Sequence, residues 1–252
     1  MDSSLQIYLD SKLANKYYDS TNHCEFIMPR IEIDSQYHFI MSVVNASIPY
    51  SFYNVNENNN KMNWVQDPYN AFVENNITIP VGNYTINQFV SKLQTLITPL
   101  TLTYDNITNK MTFTHPTYSF AFFSSSNTCF QLIGFSNTNH YSPISPRILT
   151  SDICCSMFSV RSLCLCSNII TDNIHINKPA MQSILMSIPV NCGANGIITY
   201  NNTNVFKMNL FTNIFKSIVI KFMDQDGNRV NLNGCHYNLT LQLDIIKFVT
   251  DD

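Results

Sequence analysis

Four cysteines stand close together, as the adjacent pair Cys154-Cys155 and as Cys164-x-Cys166, and they are the first residues in the chain whose type and spacing could hold a metal. Structural zinc takes ligand pairs two to four residues apart, so that both sulfurs turn toward one ion. On a strand Cys164 and Cys166 share a face, whereas the adjacent Cys154 and Cys155 point to opposite faces. The spacing argues for buried apolar thiols and against zinc. Six histidines, His23, His38, His115, His140, His175 and His236, form no H-x-x-x-H or H-E-x-x-H arrangement. A cysteine hydrolase would need the fold to bring a thiol and an imidazole together, because no motif surrounds any Cys or Ser. G-x-S-x-G, P-loop and G-x-G-x-x-G patterns are absent, and 6 glycines offer little for phosphate-cradling loops.

Asp224-x-Asp226-Gly227-Asn228 has the alternating oxygens of a calcium loop but lacks its terminal Glu, and a turn between two strands accounts for the same residues. Sequons at Asn45, Asn76, Asn83, Asn106, Asn201 and Asn238 carry little weight in a chain with 33 Asn among 252 residues. Trp64, 13 Tyr and 17 Phe could line a glycan groove, with Trp64 and the polar stretch 136–145 as candidate places, although scattered aromatics in a β-sandwich mostly form core. No catalytic, cofactor-binding or metal-ligating residue is assigned.

Composition narrows the class. The chain is 45% hydrophobic, an ordinary globular value, yet only 12% charged where about 25% is usual. Such apolar content can offset chain entropy, which excludes disorder. The net charge is −3 and Lys and Arg form no run that could track phosphates, so specific nucleic-acid binding is not expected. Residues 1–20 mix charges through their apolar positions and lack a signal-peptide core. No stretch approaches the roughly 18 apolar residues of a membrane span. Eight cysteines are then expected as free thiols of a cytosolic product.

The elements that would position these residues are mostly strands. Apolar residues alternate with polar ones over four to nine positions between short polar clusters. Leu239, Leu241, Leu243 and Ile245 share one face, with Asn238, Thr240, Gln242 and Asp244 on the other. Further strands are expected over 26–33, 38–46, 158–168, 181–190, 196–200, 204–210 and 214–223, giving eight or nine in an all-β-dominated fold. One segment differs: Ile86, Phe89, Val90, Leu93, Leu96 and Ile97 keep the spacing of one helix face. Thr85 with Gln88 makes a capping box and Pro99 follows the end. A strand over 77–80 precedes this helix, a hairpin over 100–104 and 110–115 follows, and a weaker helix is expected over 127–133 before Gly134. The order β-α-β-β-α predicts an inserted α+β excursion over 77–140 in a β-sandwich built from 1–76 and 141–252, with 54–60 and 136–145 as exposed loops.

Several segments in order resemble the minor capsid proteins, or pentons, of virophages and polinton-like and related large DNA viruses. They are Ser47-Ile-Pro-Tyr-Ser-Phe-Tyr-Asn54, Ile77-Thr-Ile-Pro-Val-Gly-Asn-Tyr-Thr85 running into the helix, the hairpin from Tyr104 to Phe113, Leu132-Ile-Gly-Phe135, and Asp224 to Gly234 followed by the last alternating strand. The resemblance implies a jelly-roll β-sandwich. It also implies a non-enzymatic structural protein of the virion, assembled in host cytoplasm. Its partners would be other copies of itself in a pentamer at icosahedral vertices, the major capsid protein and other minor capsid proteins. A jelly-roll module that binds a glycan or receptor is the alternative expectation.

Overall fold

The computed structural model describes residues 3–169, 183–203, 206–210 and 212–247. In chain order its strands are β1 (Ser3–Asp10), β2 (Lys16–Tyr17), β3 (His23–Glu32), β4 (Tyr37–Pro49), β5 (Lys61–Gln66), β6 (Val73–Thr78), β7 (Thr101–Asp105), β8 (Lys110–Thr114) and β9 (Phe120–Phe122). There follow β10 (His140–Tyr141), β11 (Ile148–Thr150), β12 (Ser162–Ser167), β13 (Ile184–Pro189), β14 (Ile197–Asn201), β15 (Met208–Leu210), β16 (Ile214–Met223) and β17 (Asn238–Lys247). The helices are α1 (Ile86–Leu96) and α2 (Phe130–Ile133). These elements form two units, Met1–Phe52 with Val160–Asp252, and Tyr53–Ser159.

The first unit is a sandwich of two antiparallel sheets, ordered β1-β17-β4-β14 with β15 also on β4, and β13-β12-β16-β3-β2. Without the short β2 and β15, each sheet keeps four strands. The chain crosses between sheets at every step among the long strands except β12 to β13, which is the connectivity of a jelly roll. Period-two alternation drives it. Leu239, Leu241 and Leu243 of β17 and Met41 and Val43 of β4 face Leu163, Leu165, Ile218, Ile220 and Phe222 of the opposite sheet in one core. Each such side chain, fully buried, contributes about 1.5–3 kcal/mol.

Two polar devices sit in this sandwich. Tyr237 is fully buried against Phe222, edge to face at 4.8 Å, and its hydroxyl lies 2.9 Å from Cys24 Sγ. Burial and that neighbour raise its pKa. On the other face of β17, Asp244 lies among the hydroxyl of Ser4, Lys207 Nζ at 2.7 Å and Gln242 Nε2 at 2.8 Å. Burial alone would raise its pKa, but these donors outweigh it and lower the value.

The second unit has its own core. One sheet runs β10-β9-β5-β6, another β11-β8-β7, and α1 and α2 pack with both. Its filling is aromatic: Phe122 meets Phe113 at 5.1 Å and Phe135 at 5.3 Å. The capping box forms as the sequence requires, with Thr85 Oγ1 accepting from Gln88 N–H and Gln88 Oε1 from Thr85 N–H. Phe89 and Leu93 are the buried positions of α1. The hairpin stands as β7 and β8, and α2 is shorter than expected, ending on Gly134 in left-handed conformation at φ 81°. A Cβ there would meet the Ile153 carbonyl oxygen at 2.7 Å, so only glycine fits. His115 anchors the turn after β8, its Nδ1 accepting from the N–H groups of Thr117 and Tyr118 at 3.0 and 2.8 Å.

The excursion therefore spans Tyr53–Ser159 and not 77–140. The reason is strand pairing: β5 pairs with both β6 and β9, and β11 with β8, so residues on either side of the expected segment belong to its sheets. The run 54–60 is not simply an exposed loop, since Asn54 and Asn60 are buried. Residues 181–182 and 204–205 of the expected strands lie outside the described residues, as does His175.

Thr85→Ala should lower stability by about 1 kcal/mol in denaturant unfolding, and Gly134→Ala by more than that because it adds a clash to an unfavourable φ. Burial first, then Arg147, lowers the pKa of His115, and burial likewise lowers that of His23. A base with a depressed folded-state pKa accepts protons more readily when unfolded, so stability is full above the unfolded value of about 6.5 and falls as pH drops below it. Melting temperature should decrease between pH 7.5 and 5.5, and His115→Asn, which keeps an acceptor for the turn, should flatten that decrease.

Candidate functional site

The cysteines do not assemble a centre. Cys164 and Cys166 share a face of β12 in a small cluster with Met223, as the alternation required, within the sandwich unit. Cys154 and Cys155 belong to the other unit, beside the β7–β8 turn, where the Cys154 thiol donates to the Thr108 carbonyl and the Cys155 N–H to that of Asn109. All eight cysteines are unpaired thiols. Burial pushes Cys129 up to about 12 and Cys166 up to about 11, and it also raises Cys24, Cys155, Cys164 and Cys192. An activated thiol shifts the other way. Among the described residues no group of three His, Cys, Asp or Glu side chains is placed to hold a metal.

The Asp224 loop is a turn whose carboxylate is already engaged. Asp224 Oδ1 accepts from the N–H groups of Asp226 and Asn228, each at 2.8 Å, and Oδ2 from Asn228 Nδ2. Gly227 supplies the positive φ. These bonds use the oxygens that a cation would need. A Ser/His contact that the sequence did not signal joins Ser11 Oγ to His236 Nδ1 at 3.2 Å. Ser11 is fully buried and exchanges backbone and side-chain bonds with Tyr237, so the contact ties the end of β1 to the start of β17.

Trp64 lies in β5 at 1% exposure within the second unit's core, which removes it as a glycan platform. The expectation of exposed aromatics in the 136–145 stretch holds for Tyr141. It lines an open groove of about 670 Å³ whose walls include Tyr69, Phe72 and Phe123. Phe72 meets Phe123 at 6.0 Å, Phe123 meets Tyr141 edge to face at 5.7 Å, and Tyr141 stacks on Tyr69 at 6.2 Å. Tyr69 is 59% exposed, Phe72 50% and Tyr141 45%. Sequence periodicity could not find this row, because its members come from the β5–β6 loop, the segment after β9, and β10.

A second surface feature lies in the sandwich unit. A cleft bounded by β1, β3, the start of β17 and the 3-10 turn Ser11–Leu13 is lined by Tyr8, Leu13 and Ile27 among others. Tyr8 is 74% exposed, Leu13 76% and Ile27 64%. β1 is an edge strand of its sheet. Large apolar side chains this exposed, grouped at a sheet edge, are what soluble monomers avoid.

No protein-family model matches the chain, and no curated protein does. Among solved structures, the chain is similar to the crystal structure of the selenomethionine-labelled mavirus penton protein, with a TM-score of 0.53, 10% sequence identity, and coverage of 98% of this chain and 100% of that one.

Proposed function

We propose that this chain is a structural protein of a virus capsid, the penton subunit that closes icosahedral vertices. The observation that carries this reading is the likeness of fold along the full length of both chains, insertion included. A jelly roll alone would carry little, because many functions share it. The exposed patch of Tyr8 on the edge strand β1, Leu13 in the 3-10 turn and Ile27 on β3 supports the reading by supplying a surface suited to a second copy of the chain. Five copies would form a ring, and the major capsid protein and other minor capsid proteins would meet its outer faces within the virion, after assembly in host cytoplasm. Low charge suits such contacts, since amides and hydroxyls can pair across an interface without the desolvation cost of buried ions. Six of the eight thiols, pushed toward the neutral form by burial, and the engaged Asp224 carboxylate favour a protein without catalysis. Among the described residues no helix is long and apolar enough to cross a membrane.

Native mass measurement and negative-stain microscopy of the purified protein should show five-membered rings, and particles should carry five copies per vertex. A stable monomer that never enters particles overturns the reading. Leu13→Asp combined with Ile27→Asp should abolish the rings while leaving the thermal melt of the monomer within a few degrees, because both side chains are exposed before assembly.

A further inference from the structure

The aromatic row in the second unit is costly as structure alone. Phe72 adopts φ 47°, a left-handed conformation that a bulky residue rarely takes and that costs on the order of 1–3 kcal/mol. It buries only half of its side chain in return. The loop that imposes this geometry is firmly built. Asp67, itself at φ 48°, donates its N–H to the Ser119 carbonyl at 2.8 Å, and its own carbonyl accepts from the N–H groups of Asn70 and Phe72 at 3.2 and 3.0 Å. Its carboxylate accepts from Asn70 Nδ2 at 3.0 Å. Tyr69 and Phe72 are thus held out beside Phe123 and Tyr141 by a braced loop.

We propose that this groove binds a neutral oligosaccharide. The C–H face of a pyranose is apolar and its rim is hydroxylated, so it fits a wall of exposed aromatic faces edged by a few polar groups. The four rings form such a wall, contacting one another in the order Phe72, Phe123, Tyr141, Tyr69 at 5.7–6.2 Å. Pro68, Glu74, Ser125 and Ser126 complete the lining, and the last three can exchange hydrogen bonds with sugar hydroxyls. Charge selects among glycans: the lining holds one carboxylate and no basic residue, which opposes sialylated or sulfated chains and phosphates. At about 670 Å³ the groove falls in the ~300–1,000 Å³ range of ligand sites. The inference does not depend on the capsid reading, since the groove lies wholly within one unit of one chain.

The test uses the full chain on an array carrying neutral, sialylated and sulfated glycans, followed by calorimetric titration with soluble neutral pentaoses of glucose, galactose, mannose and N-acetylglucosamine. Saturable binding to at least one neutral series, weakened tenfold or more by Tyr141→Ala and by Tyr69→Ala, and absent for the acidic glycans, is the expected result. Glu74→Gln should weaken it less, and because that residue is exposed it serves as a variant whose folding is not at risk. No saturable binding to any neutral glycan overturns the proposal. So does binding that survives both tyrosine substitutions, or capture of a proline-rich decapeptide in place of every sugar. None of these outcomes bears on whether the chain forms rings, which is measured separately.

Discussion

Every backbone N–H and C=O group removed from water must find a partner, and this chain meets that demand in its loops with carboxamides. With 6 glycines and 12% charged residues it has few of the usual means of turning and capping. Asparagine takes both roles. Asn109, Asn195 and Asn233 occupy left-handed positions that glycine would otherwise fill. Asn54 Nδ2 donates to the Tyr84 carbonyl while its Oδ1 accepts from Tyr84 N–H, and Asn127 bonds the backbone of Asn63 in both directions. A carboxamide offers two donors and an acceptor without charge, so it can be buried at the cost of a neutral group and not of an ion.

That constraint shapes how the two units coexist in one chain. The sandwich uses it outside its ladders, where Asn202 bonds the backbone of Phe206 in both directions and Asn168 Oδ1 accepts from Val219 N–H, while its strands satisfy one another and its core is mostly aliphatic. The unit between β4 and β12 has short strands, small sheets and long connections, and it is there that amide bonds hold β5, the segment before α1 and the turn after β9 in place. Its aromatic core adds edge-to-face contacts among Phe113, Phe120 and Phe122, which fix ring positions more narrowly than aliphatic packing would. The same scaffolding presents Tyr69 and Phe72 outward with little freedom. Rigid aromatic presentation and an exposed apolar sheet edge are separate features, one on each unit, and each has its own physical reason to be a contact surface.

Much of this was legible beforehand, and where it was not the cause is identifiable. The face of Leu239, Leu241 and Leu243, the helix from its capping box at Thr85, and the β16 segment were read from local periodicity, which survives folding because burial enforces it. The thiols of Cys164 and Cys166 shared a face for the same reason. Trp64 joins the core, as scattered aromatics mostly do, while Tyr141 stays exposed, because composition does not say which aromatics a neighbouring sheet will cover. The extent of the second unit is not legible locally, because β5 and β11 look like members of any sheet; only the partner strand shows which one. The turn at Asp224, legible from its Asp, Gly and Asn residues, has its carboxylate oxygens engaged within the loop.

Local residue patterns are enough for the β-dominated class, the helix and its cap, the hairpin, and the lack of any local catalytic motif, because each depends on residues within a few positions of one another. Tertiary structure alone decided the sheet orders, the reach of the second unit, the Cys24 and Tyr237 pair, and the joining of Tyr69, Phe72, Phe123 and Tyr141 into one row. These depend on pairing between segments far apart in the chain, where a strand's alternation fixes which side chains face inward but carries no information about the strand or ring they will meet.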